Sequence, residues 1–260
     1  MTGVEVIAVI GVAVLVGTVL QRLSGTGVGL VVAPVLAIVL GPGIGVLITN
    51  MTTVVSGLLI MIAVFPRIDW RRYLLLAPAS LLGAVPGAWL VGQLPAGWLS
   101  IILGAIVLIA LVVTFSLPQL PYLRGRSSGW VAGVVGGFFN TTSGVAAPVM
   151  VVYSRVSRWD QGSFAATMQP VFMTFGAVSA VSKLAMGSVD TGAVAAGGAN
   201  GLALGWLFAG IAVTVLLGIA VGGLLSKHVP LTTARTLAMV LAGLGGLGAI
   251  VRGTFDVVAG

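Results

Sequence analysis

SGTGVGLVVAP, residues 24–34, and NTTSGVAAP, residues 140–148, decide how this chain is read. Each is a small polar break that runs into a short apolar stretch carrying a proline, Pro34 or Pro148. Both lie in sequence too apolar for a soluble domain. Of 260 residues, 58% are hydrophobic and only 7% are charged, against about a quarter charged in globular chains. Mean hydropathy is +1.20, so the chain reads as an integral membrane protein. Irregular backbone at membrane depth survives only where protein buries it or where it lines a polar cavity. The two breaks therefore predict broken helices or re-entrant hairpins packed inside a helical bundle.

Outward from the breaks, apolar stretches run over 4–20, 28–40, 44–65, 73–91 and 99–117, then 129–139, 144–153, 163–185, 202–225 and 231–250. A spanning helix takes about 20 residues at about 1.5 Å each. The stretches 28–40, 129–139 and 144–153 fall short of that, at roughly 15–20 Å. The amino terminus carries Glu5 rather than a basic region, so its apolar run is expected to stay in the mature protein.

The two halves repeat. Gly83, Gly87 and Pro95 match Gly218, Gly222 and Pro230 at one offset of 135. Upstream, Pro34 pairs with Pro148, Asn50-Met51-Thr52 with Thr167-Met168-Gln169, and Asp69 with Asp190, at offsets of 114, 117 and 121. The Gly/Ala-rich stretch 192–201 is the largest extra piece. The division falls at 1–125 and 126–260. Basic residues orient it. Arg67, Arg71, Arg72, Arg124, Arg126, Arg155, Arg158, Lys227 and Arg235 fall on one, cytoplasmic, side; the uncharged turns at 41–43 and 94–97 fall outside. Corresponding loops then lie on opposite faces. The predicted fold is all-α and polytopic, with two inverted-topology repeats, each one re-entrant or broken-helix hairpin plus three spanning helices. The amino terminus is expected outside the plasma membrane.

Composition excludes much chemistry. There is no cysteine and a single histidine, His228, so disulfides, thiolate nucleophiles and multi-histidine metal sites are out. No cofactor is expected, and no enzymatic activity. The net charge of +7 is spread over loops as a topology signal, which argues against a nucleic-acid partner. Gly25-Thr26-Gly27-Val28-Gly29 is not a nucleotide loop: Leu30 takes the last glycine position, and no Lys-Ser/Thr follows.

What the breaks offer is anion binding. A helix amino terminus presents backbone N–H groups and a positive dipole end. Ser24, Thr26, Thr141, Thr142 and Ser143 add hydroxyls, Asn140 an amide, and Gly25, Gly27, Gly29 and Gly144 let a ligand approach the backbone. The bland alternative is capping and close packing by small residues. Asn50, Thr53 and Gln169 follow as candidate pocket lining on the helix after each hairpin, Thr49, Thr52, Ser56, Thr167 and Thr174 with them; helix-to-helix hydrogen bonding is the alternative. No carboxylate falls within a span, so a carboxylate relay is not expected. Arg22 is read as snorkelling to the surface, Lys183 and His228 as interfacial.

The run GTGVGLVVAPVL at 25–36, recurring as NTTSGVAAPVMVV at 140–152, resembles the TauE/SafE sulfite exporter family, also called the four-toluene sulfonate uptake permease family. The resemblance covers nearly the whole chain. It implies a secondary transporter for sulfite, organosulfonate or a related small anion, the expected partners being that anion and the lipid bilayer, with room for a homo-oligomer. The family's glycine motif carries over to Gly25, Gly27, Gly29 and Pro34, and to Gly144 and Pro148. Val28 interrupts the first copy, and Thr142-Ser143 stands where glycine is usual in the second. An anion-selective channel, or a carrier of small carboxylates, is the alternative function.

Overall fold

A computed structural model describes residues 3–24, 28–116, 122, 125–189, 203–226 and 228–259. The described residues form ten α-helices and no strand: α1 (Gly3–Ser24), α2 (Gly29–Leu40), α3 (Pro42–Val64), α4 (Trp70–Gln93), α5 (Ala96–Ser116), α6 (Arg126–Ser143), α7 (Ala147–Val156), α8 (Gln161–Ala185), α9 (Ala203–Leu225) and α10 (Leu231–Ala259). The chain is all-α, as its composition predicts. Among the described residues six helices are long and apolar enough to cross a membrane, namely α3, α4, α5, α8, α9 and α10, three in each half. The other four form two pairs, α1–α2 and α6–α7, each meeting at a break.

The second break differs from expectation. Asn140 to Ser143 do not interrupt the helix; α6 runs through them and is 18 residues long. The hydroxyls of Thr141, Thr142 and Ser143 donate to the carbonyls of Gly137, Phe138 and Phe139 at 2.8, 2.9 and 2.7 Å. Such back-bonding satisfies a buried hydroxyl without leaving the helix. The turn falls instead at Gly144, whose φ of +75° suits a residue without a Cβ. Two of the three stretches expected to be short are so, α2 with 12 residues and α7 with 10, about 18 and 15 Å, whereas 129–139 lies within the 18-residue α6, about 27 Å long.

Glycine contacts define the helix packing. A Cβ on Gly57 of α3 would stand 2.9 Å from the Gln169 carbonyl oxygen, and one on Gly176 of α8 would stand 2.8 Å from the Asn50 carbonyl oxygen. Both pairs of numbers sum to 226, so the two helices cross antiparallel. The crossing lies near Thr53 and Phe172, close to the middle of each helix. Helices α5 and α10 do the same through Gly97 with Gly253 and Gly104 with Gly246, both summing to 350. Gly83 and Gly87 of α4 press on Val134, Phe138 and Thr141 of α6, and Gly218 and Gly222 of α9 press on Leu15, Val19 and Arg22 of α1. The glycines differ by 135 and their partners by 119. One interface recurs in the other, and the sequence-matched glycines are its contact points.

This packing puts α3 and α8 at the centre and turns apolar faces outward. Leu81, Leu82, Val85 and Trp89 of α4 are exposed, as are Leu216, Leu217 and Leu224 of α9 and Leu237, Leu244 and Phe255 of α10. Outward-facing leucines of this density suit hydrocarbon rather than water.

Candidate functional site

The two breaks touch. Gly29, first residue of α2, packs directly on the Gly144 carbonyl, and a Cβ added at Gly144 would stand 3.1 Å from Ala33 Cβ and 3.4 Å from Thr49 Cγ2. Any side chain at Gly29 would collide with that carbonyl. Neither short helix has a side-chain cap on its first turn, so the dipole ends of α2 and α7 sit beside the junction without a capping oxygen.

Four buried amides surround the junction. Asn140 Nδ2 donates to Asn50 Oδ1 at 3.0 Å, and Gln21 Nε2 donates to Gln169 Oε1 at 3.2 Å. These bonds are copies of one another, because Gln21 and Asn140 differ by 119 and so do Asn50 and Gln169. Sequence matching paired Asn50 with Thr167 at an offset of 117; the hydrogen bonds pair it with Gln169. Asn50 Nδ2 also donates to Ser179 Oγ at 2.6 Å, and Gln169 Nε2 to the Ala165 carbonyl at 3.2 Å. Each interhelical bond contributes roughly 0.6 kcal/mol in a membrane bundle. Exposing any of these amides to hydrocarbon without a partner would cost more.

A cavity of about 10 Å³ lies at the junction, lined by Gly29, Thr53, Asn140, Gly144, Ala146 and Phe172 among others. That is room for about one water, well short of a tetrahedral anion. Four candidates from the sequence, Gly29, Thr53, Asn140 and Gly144, therefore share one wall. Asn50 and Gln169 stand behind it through the amide bonds. Thr141 turns to Gly87 of α4, and Thr142 bonds within its helix. Ser143 donates backward and accepts from Val145 N at 3.2 Å, holding the turn. Ser24 ends α1, and Gly25, Thr26 and Gly27 lie outside the described residues, as do Asp190, Arg124 and Lys227. Thr49 and Thr52 bond to their own helix. Thr167 accepts from Asp69 N at 2.8 Å and Thr174 meets Tyr73 at 3.0 Å, both away from the cavity.

Charge is sparse here. Asp69 and Asp160 cap α4 and α8 by accepting from Arg72 N and Ser163 N, and no carboxylate lines the cavity. Arg22 is exposed and packs along Gly222 of α9, and His228 is exposed. Lys183 overturns its interfacial reading: it is 0% exposed. Its carbonyl accepts from Ser188 N at 3.0 Å, and the turn that follows packs with Val189 at Gly43 and Ser188 at Gly92, so the side chain is buried although it lies in the last turn of α8. Gln21, Ser179 and Lys183 escaped the sequence reading. Gln21 was legible, since QRLSG at 21–25 parallels NTTSG at 140–144.

A second cavity, about 320 Å³, opens at one end of the bundle, where Arg71, Arg72 and Arg126 gather with Tyr153 and Ser157. Arg72 is held there by Asp69 at 3.4 Å and by the Trp159 ring at 4.4 Å. The first turns of α4 and α6, which carry these arginines, thus share one end of the bundle.

Two pairs of short helices that meet at a buried amide centre, inside six long apolar helices, have the layout of a multi-pass membrane protein. The chain belongs to the sulfite exporter TauE/SafE family, whose profile matches residues 9–250. Membership makes it a membrane transport protein. Neither a curated protein nor a solved structure matches the chain.

Proposed function

We propose that the protein is a secondary transporter of the plasma membrane that exports a small sulfur oxyanion or organosulfonate. Residues 1–125 and 126–260 act as inverted repeats that rock about the α3–α8 crossing. The observation that carries this reading is the junction itself: two uncapped helix starts and an amide quartet, with no carboxylate, at the midpoint of the central helices. Backbone N–H groups and amides are donors suited to an oxyanion. The antiparallel crossing of corresponding helices and the recurring glycine interface support the inverted arrangement. The arginine cavity supports a cytoplasmic mouth at that end, with the amino terminus outside, because clustered positive charge gathers anions from solution.

The central cavity is too small for substrate, so binding requires the two breaks to separate. An anion leaving a cell that is negative inside gains about 2.3 kcal/mol per charge per 100 mV, enough to drive export without a coupling ion. The test is the melting temperature of purified protein against sulfite, sulfate, thiosulfate, taurine, sulfoacetate and small carboxylates, repeated for Ser143→Val. Saturable stabilisation by a sulfur oxyanion, weakened in the variant, is expected; at a hundred times Kd it amounts to about 2.7 kcal/mol. Stabilisation by carboxylates alone would replace the substrate class. Stabilisation by no anion would refute the assignment. Counterflow in vesicles separates a carrier from a channel.

A further inference from the structure

We infer that Lys183 is a second anion-binding group of the transport path, on the side away from the arginine cavity, and that it takes the oxyanion as it passes between the amide junction and the outer face. The inference rests on the transport reading above. Lys183 is the one charged side chain that is fully buried among the described residues, and its Nζ has no hydrogen-bond partner there. Neither ion pair of the described residues involves it.

A buried cation without a partner is costly, and ionisable groups inside membrane bundles mark ligand and ion paths. A purely structural lysine in the last turn of a helix would bond the terminal carbonyls; this one bonds none. Apolar neighbours enclose that end of the bundle, Leu47, Val91, Leu99, Ala180 and Val189 forming one cluster. What leads to it is polar. Ser179 is four residues back on the same face of α8, about 6 Å along the axis. Ser179 accepts from Asn50, and Asn50 accepts from Asn140, which lines the central cavity. Hydrogen-bonded polar groups thus run from the junction to Ser179, one helical turn from the enclosed amine. The matching position in the first half is Val64, so the device belongs to one side only. Arg155 and Arg158 precede α8 while Lys183 closes it, roughly 33 Å further along the helix from Gln161. The ligand class that satisfies an ammonium and the amide donors alike is a small oxyanion, of which sulfite is the probe.

The test uses the full chain in right-side-out and inside-out vesicles, with sodium sulfite, comparing wild type, Lys183→Met and Lys183→Gln. Substrate-free Lys183→Met should melt above wild type, since an unpartnered cation is removed. Its half-saturating sulfite concentration at the outer face should rise about tenfold, with the inner face little changed. Lys183→Gln, which keeps N–H donors but no charge, should fall between. Wild-type behaviour of both variants at both faces overturns the inference while leaving the transport reading intact. A lower melting temperature for Lys183→Met overturns it too, by revealing a structural partner. Wild-type protein that neither carries nor binds any anion of the panel overturns the transport reading first, and this inference with it.

Discussion

Replacing Gly29 by alanine tests whether the two breaks meet. The added Cβ would fall on the Gly144 carbonyl oxygen, 3.1 Å from the carbonyl carbon and 3.7 Å from Thr49 Cγ2. Both first neighbours are backbone, so no rotamer change relieves the collision, and α2 must move off the second break. Overpacking of this kind costs about 1–3 kcal/mol. Alanine recovers up to about 1 kcal/mol of helix propensity, leaving a net loss of about 1–2 kcal/mol. For a chain of this size that is a fall of roughly 2–8 °C in melting temperature. The same energy biases any equilibrium between joined and separated breaks toward the separated form by about 5- to 30-fold, so the half-saturating sulfite concentration and the flux in vesicles should both change by up to a comparable factor. Gly11→Ala is the control: a Cβ there meets nothing within 4 Å, and it should melt at or slightly above wild type. A Gly29→Ala protein that melts within a degree of wild type and carries sulfite at the wild-type rate would refute the contact between the breaks.

Two further expectations follow from the same geometry. Gln21→Leu and Asn140→Leu remove related hydrogen bonds and leave the Gln169 and Asn50 oxygens buried, so each should cost about 1–3 kcal/mol; melting curves that differ widely between them would argue against equivalence of the two halves. Neutralising Arg71 and Arg126 together should slow uptake of sulfite from the arginine side at low ionic strength and matter little at high salt, with Arg72 left in place because Asp69 and Trp159 hold it.

Most of the helix layout was legible because length and apolar composition alone select a spanning helix. Pro42, Pro95 and Gly41 marked ends that the structure keeps. What pattern reading lost was depth and direction of side chains. Asn140 to Ser143 looked like a loop because Ser, Thr and Asn favour turns in water; inside a bundle their side chains bond back to the helix or across to a neighbour, and the helix continues to Gly144. Lys183 looked interfacial because a one-dimensional reading counts residues to the helix end and cannot see which side chains the bundle buries there. Gln21 was overlooked because the first break was cut at Ser24, although matching it with Asn140 needed only the offset that also relates Ser24 to Ser143. The amide quartet as a unit was not readable at all, since it depends on where α1 and α6 lie against α8 and α3.

The hydrogen bond between the Asn140 and Asn50 amides, which joins the halves, also has a consequence in time. Asn50 is made 90 residues before Asn140 and 129 before Ser179. At about 5–20 residues per second of synthesis, its amide waits roughly 5–26 s for its native partners. Through that interval the first half carries a polar side chain whose native partners are not yet made, a costly state in hydrocarbon unless another donor or acceptor satisfies it.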